Sequence, residues 1–178
     1  MVRRVTVPTD PVAVVGCGSS TLIGELVDSG YTAIVAIDIA QAAIDQLRAS
    51  LGGRAENVMS IRADARTVQL PHTVALWHDR ATFHFLTDDA DQKAYAMTAA
   101  RSVSPGGYLV MAEFATDGPT SCSGLIVARH SATSLQSVFS DGFELIESFE
   151  RDHITPSGAV QRFVHALMIR RDALSVVE

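Results

Sequence analysis

Cysteine is scarce in this chain: Cys17 and Cys122 are the two in 178 residues, and they lie in different segments with no C-x-x-C spacing and no histidines grouped around either. Neither a disulfide framework nor a structural zinc is indicated, and no metal site is expected. Long apolar runs are also missing, and no stretch approaches the uninterrupted length that a bilayer span needs. Arg3 and Arg4 are followed by Pro8 and Asp10 without an apolar block, which does not read as a secretory signal; the expectation is a cytoplasmic protein with no membrane contact. Positive charge is sparse and scattered: 14 Lys and Arg stand against 20 Asp and Glu, a net charge of −6. That argues against nucleic acid as the main partner and leaves a small uncharged or cationic substrate, or a protein. Internal repeats and low-complexity tracts are absent. At this length, with 47% apolar and 19% charged residues, the chain suits one globular domain spanning 1–178.

What is present is organised around Val12 to Asp38. An apolar, β-branched run (Val12, Val14, Val15) turns through Gly16-Cys17-Gly18 and re-emerges with Leu22, Ile23, Leu26 and Val27 at helical spacing. A second apolar run, Ala33 to Ile37, ends on Asp38, twenty residues past Gly18. Glycines let the backbone approach a ligand, and an acid at the tip of the second strand can accept hydrogen bonds from ribose hydroxyls, so the ligand should contain a nucleoside. The glycine pattern is incomplete, with Ser20 and Thr21 where a third glycine would fall. A tight βα turn that binds nothing, with Asp38 capping the helix from Ala40, is the competing reading.

Further along, Met1 to Pro11 is expected to be a short extended lead-in. Helices are expected at about Ser20 to Ser29, stopped by Gly30, and at Ala40 to Leu51, stopped by Gly52-Gly53. Strands follow at Val58 to Arg62, with Asp64 just beyond, and at Val74 to Trp77. A helix from Asp89 to Val103 ends at Ser104-Pro105-Gly106-Gly107, before a strand from Tyr108 to Phe114. Alternating strands and helices imply a parallel sheet covered on both faces, which binds ligands outside the carboxyl ends of its strands. A polar loop, Ala115 to His130, leads to a short helix at Ser131 to Ser140. Two long strand patterns, Phe143 to Ile154 and Gln161 to Arg170, then form a hairpin, so one of them runs antiparallel.

In this order and spacing the V-V-G-C-G turn, Asp38, Asp64, the S-P-G-G punctuation and the terminal hairpin resemble the class I S-adenosylmethionine-dependent methyltransferases. The resemblance implies an α/β, Rossmann-like, doubly wound sheet of seven strands in the order 3-2-1-4-5-7-6, with strand 7 antiparallel. The run W-H-D-R-A-x-F-H-F-L at Trp77 to Leu86 looks like the strand-four motif of small-molecule and thiol-type members, and a similar motif occurs in some lysine methyltransferases. Carried over, the likeness implies that Gly16, Cys17 and Gly18 pass under the methionine part of S-adenosylmethionine, and that Asp38 and Ile39 meet the ribose end. Asp64 and Ala65 would recognise adenine, and His78 and Asp79 would face the methionine amino end and the acceptor. Three features depart from the pattern: Val14 where an acid is usual, Ser20 for the third glycine, and about eleven residues before the first strand where members carry a capping helix.

Methyl transfer from a sulfonium is an in-line displacement that depends on alignment and water exclusion. For a protonated acceptor a base would help, and Asp79, His78 and His84 are the candidate catalytic residues. Each has a plainer reading. Asp79 can cap the short helix that follows, and His84, between Phe83 and Phe85, can be a packed histidine. Trp77 reads as core with its indole N–H on a partner, and Cys17 as small-residue packing. The function expected is methyl transfer to a small-molecule acceptor. A protein lysine methyltransferase, a cofactor-binding protein with little turnover and a NAD-linked oxidoreductase are the alternatives. The short amino-terminal segment suggests that a homodimer could cover the site, and the loop Thr116 to Ser131 reads as an acceptor-side lid.

Overall fold

A computed structural model of the chain describes residues 1–18 and 20–171. Seven strands form one sheet: β1 (Val12–Val15), β2 (Ile34–Asp38), β3 (Val58–Arg62), β4 (Val74–Arg80), β5 (Val103–Phe114), β8 (Phe143–Ile154) and β9 (Val160–Arg170). Their order is β3-β2-β1-β4-β5-β9-β8, with β9 antiparallel to both neighbours. Two short strands of the connecting loop, β6 (Ser121–Cys122) and β7 (Leu125–Ile126), pair only with each other, so the order and the antiparallel last strand are those expected.

Why the sheet is buried on both faces is visible in β1, where all four residues are inaccessible and alternate between two cores. Ala13 and Val15 face the helices α4 (Asp89–Ser102) and α5 (Ala132–Phe139), joining Trp77, Tyr95, Leu109 and Phe139. Val12 and Val14 face α2 (Leu22–Asp28) and α3 (Gln41–Leu51), joining Ile23, Leu26, Ile44 and Leu47. Each crossover helix thus covers the face opposite to its counterpart in the other half.

Three local differences from the sequence reading have physical reasons. The lead-in is not wholly extended: α1 (Val2–Val5) is one helical turn, held because Val2 is buried and Thr6 Oγ1 lies 2.9 Å from Tyr31 Oη. Strand β4 continues three residues past Trp77, since His78, Asp79 and Arg80 all pair with β5. The S-P-G-G segment does not separate α4 from β5 as a free turn. It bulges out of β5 where the register jumps from Val74–Val103 to Leu76–Tyr108, with Gly106 at φ 75° and a Cβ on Gly107 only 2.8 Å from the Ala75 carbonyl oxygen.

Candidate cofactor and acceptor site

The carboxyl ends of β1, β2 and β3 and the turn after β4 surround a cleft of about 460 Å³ on the α4 side of the sheet. Gly16 lines it at φ 60°, and a Cβ there would stand 1.8 Å from Thr82 Oγ1, so this position admits only bare backbone. Asp38, half-buried at the tip of β2, accepts from Gly18 N at 3.0 Å and from Ala40 N at 2.9 Å. Its carboxylate is therefore locked against the glycine turn while still facing the cleft. The same side chain thus steadies the approach to α3, whose N-cap is Ala40, and lines the cleft.

Asp64, beyond β3, lines the cleft and is held by Arg66 through three side-chain contacts of 3.0, 3.0 and 2.6 Å and a backbone donation of 2.8 Å. The Arg66 hydrogen bonds hold the Asp64 carboxyl below the usual carboxylate range. Arg66 also reaches Asp91 of α4 at 2.6 Å, and its carbonyl accepts from Thr98, so α4 fixes the loop that presents Asp64. Ile37, Ala63, Phe85, Leu86 and Leu125 give the cleft an apolar wall.

Behind this wall lies a chain of polar groups with no solvent exposure. Trp77 Nε1 donates to Tyr95 Oη at 2.9 Å, Tyr95 donates to Asp79 Oδ2, and Asp79 Oδ1 accepts from the backbone N–H of Thr82 at 3.0 Å and Phe83 at 3.4 Å. Asp79 thus braces the start of the 3-10 turn Phe83–Phe85 through these two N–H groups, although the N-cap position itself is Thr82 rather than Asp79. Burial, and then the charge of Asp79, push the Glu113 carboxyl well above the usual range; its Oε2 accepts from the His84 backbone N–H at 3.1 Å and its Oε1 has no hydrogen-bond partner. Burial also raises the carboxyl of Asp79, while hydrogen bonds from Tyr95 and Thr82 oppose it. His84 is enclosed by Phe85 and Phe114, its Nδ1 is 3.5 Å from Glu113, and burial lowers its pKa to about 4. It is a neutral packed ring.

Of the residues singled out in the sequence, Gly16, Asp38, Ile39, Asp64 and Ala65 meet around the cleft. Gly18 braces it through its N–H. Cys17 points into the α2 core, where burial and then Asp38 raise its thiol to about 11. Asp79 and His84 lie behind the wall. His78 does not face the cleft: alternation along β4 sends Trp77 and Asp79 to one face and His78 to the other, where it lines a second cleft. Sequence reasoning missed Arg66, Thr82, Asp91 and Tyr95, whereas Leu125 lies in the loop it read as an acceptor-side lid. The D-x-R spacing at Asp64 and Arg66 was the one available signal.

Comparison with known proteins agrees with this geometry. A family model described as a methyltransferase domain matches residues 12–107, more than half of the chain. The chain therefore belongs to that family, the class I S-adenosylmethionine-dependent methyltransferases. It is an S-adenosylmethionine-dependent methyltransferase domain. Among solved structures it is similar to an S-adenosylmethionine-dependent methyltransferase from Methanosarcina mazei, with TM-score 0.83 and 16% identity over 96% of this chain and 97% of that one. It is also similar to the N-methyltransferase NodS from Bradyrhizobium japonicum bound to S-adenosylhomocysteine, with TM-score 0.73 and 13% identity over 92% of this chain and 80% of that one. By sequence, it is 31% identical over 86 residues to the eEF1A lysine and N-terminal methyltransferase of Mus musculus, covering 48% of this chain and 12% of that protein. The chain thus spans about an eighth of the length of that curated relative. The cleft fits the family's cofactor: a locked carboxylate for a diol, an apolar slot for a purine and a glycine where backbone must pass close.

Proposed function

We propose that this chain transfers the methyl group of S-adenosylmethionine to a small-molecule acceptor. The observation that carries the reading is the meeting of Gly16, Asp38 and Asp64 around one apolar slot at the carboxyl edge of the sheet. Asp38 holds the ribose hydroxyls, Asp64 and the Ala65 backbone meet adenine beside Ile39, and Gly16 underlies the methionine. The bound cofactor supplies an electrophilic methyl on a sulfonium. The chain's part is alignment and dryness: Phe85, Leu86 and Leu125 exclude water, and Asp79 fixes the turn carrying Thr82 and Phe83 against the cleft. Asp79 and His84 are positioning residues, because both are sealed from the cleft and the oxygens of Asp79 are already engaged. The acceptor atom accordingly brings its own lone pair at neutral pH.

A protein acceptor is the second reading, favoured by the 31% identity to a lysine and N-terminal methyltransferase. Thermal unfolding with S-adenosylhomocysteine and, separately, NAD tests the cofactor: at 100 times its Kd a ligand stabilises by about 2.7 kcal/mol, a shift of roughly 5–10 °C for a chain of this size. S-adenosylhomocysteine should give that shift and NAD none; the reverse would overturn the reading. Labelled S-adenosylmethionine with a small-molecule panel and with a cell extract separated by size then decides which acceptor class takes the label.

A further inference from the structure

The second cleft lies on the α2 face of the sheet, has a volume of about 430 Å³ and is lined by His78, Arg80, Arg151, His165, Phe149 and Leu22 among others. Two pairs on its rim cancel one another: Arg3 is 3.8 Å from Glu25, and Arg4 is 2.7 Å from Glu147. Among the described residues no carboxylate comes within 4.0 Å of Arg80 or Arg151. Arg80 and the aromatic lining are nevertheless packed together. The Arg80 guanidinium sits 5.4 Å from the centroid of Phe163, and the His165 ring stacks on Phe149 at 4.8 Å with 13° between planes. On the floor, His78 Nδ1 is buried without a hydrogen-bond partner. Burial lowers His78 to about 4, with the amino terminus, Arg80 and His165 adding to it; burial and then Arg80 and Arg151 lower His165. The field inside the cleft is positive.

We infer that this cleft receives the carboxylate or phosphate group of an anionic small-molecule methyl acceptor, an inference that rests on the methyl-transfer reading above. Two guanidiniums without a carboxylate within 4.0 Å among the described residues, in a concave site whose lining includes the stacked Phe149 and His165 rings, match a planar anion better than any neutral ligand. The local charge thereby overrides the expectation from the net charge of −6, which favoured an uncharged or cationic substrate. Position supports the same occupant. Arg80 lines this cleft and Thr82, two residues on, lines the cofactor cleft; Leu22 lines this one just after the glycine turn that lines the other. The two clefts flank the carboxyl ends of β1 and β4, where a methyl donor on one side meets an acceptor on the other.

The test first measures S-adenosylhomocysteine binding, then titrates benzoate, inorganic phosphate and neutral benzamide into the saturated protein while the histidine ring resonances are followed by NMR. Saturable shifts with an anion, none with benzamide, and at least a tenfold loss of anion affinity in Arg80→Ala/Arg151→Ala with unchanged S-adenosylhomocysteine affinity are expected. Absence of anion binding, or equal binding by the double variant at unchanged Tm, overturns the inference. Should the double variant lose S-adenosylhomocysteine in the same proportion, the arginines hold the cofactor's own carboxylate and the acceptor assignment falls. Failure of the wild type to bind S-adenosylhomocysteine sinks the methyl-transfer reading and the acceptor role with it, a result visible before any anion is added.

Discussion

Asp79 and Glu113 are both carboxyls without solvent exposure, and burial raises the pKa of each. Asp79 has three donors directed at it, from Tyr95, Thr82 and Phe83, which oppose that rise, while Glu113 has the His84 N–H on Oε2 and no partner on Oε1, so its carboxyl stands well above the ordinary range. Replacing Glu113 with Gln removes the cost of taking up a proton on folding, so stability at neutral pH should rise by about 1 kcal/mol or more. Asp79→Asn instead turns an acceptor into a donor against Tyr95 and the backbone, and should cost about 2–4 kcal/mol in urea unfolding. Similar losses for both variants would mean that Glu113 is ionised. At Asp38, alanine should weaken S-adenosylhomocysteine more than tenfold by calorimetry, and should cost about 1 kcal/mol of stability through the lost bonds from Gly18 and Ala40. Unchanged affinity would remove the ribose role. Asp38 and Asp79 were legible as acids at strand ends. Glu113 was not singled out, because an acid inside the apolar run Tyr108 to Phe114 reads as a strand residue until the partner strand is known.

Among the elements, the segment after β5 behaves least like its sequence. Ser123 and Gly124, at φ 51° and 80°, make a tight turn that lets β6 and β7 pair, so the expected polar loop is a small hairpin. Its apolar residues divide between two roles. Val127 is buried with Phe114 and Phe163, and Ala128 N donates to the His84 carbonyl at 2.8 Å. Leu125 is 60% exposed yet lines the cofactor cleft, and Ile126 is 80% exposed. Val127→Ser should therefore destabilise by about 1–3 kcal/mol, while Leu125→Ser should leave stability within about 0.5 kcal/mol and weaken S-adenosylhomocysteine several-fold. A stable Val127→Ser or an unfolded Leu125→Ser would reverse this division. The helices and parallel strands were readable because each carries its own periodicity. The hairpin was not, since two-residue strands have no period to read.

Over the whole molecule, the sheet order was implied by the family resemblance, whereas which side chains share a cleft depended on strand register, and register set His78 apart from Asp79. The same arrangement seals neutral histidines and one neutral acid inside the fold, and folding is thereby linked to pH. Burial lowers His84 and His130 to about 4 from 6.5. Between those values the unfolded chain binds protons that the folded chain refuses, so stability is lost as pH falls through that window, by up to about 1.4 kcal/mol per pH unit for each histidine. Glu113 acts with the opposite sign. Its folded pKa is raised, so above the ordinary carboxylate range the folded chain keeps a proton that the unfolded chain has released, and lowering the pH favours folding. Glu113→Gln deletes this opposing proton and leaves the histidines in place. Urea unfolding of wild type and variant in steps from pH 6.5 to 5.0 should give a steeper loss in the variant, by roughly 1.4 kcal/mol per pH unit. Parallel slopes would show that Glu113 is as ionised in the fold as in the unfolded chain, and that burial does not raise its carboxyl.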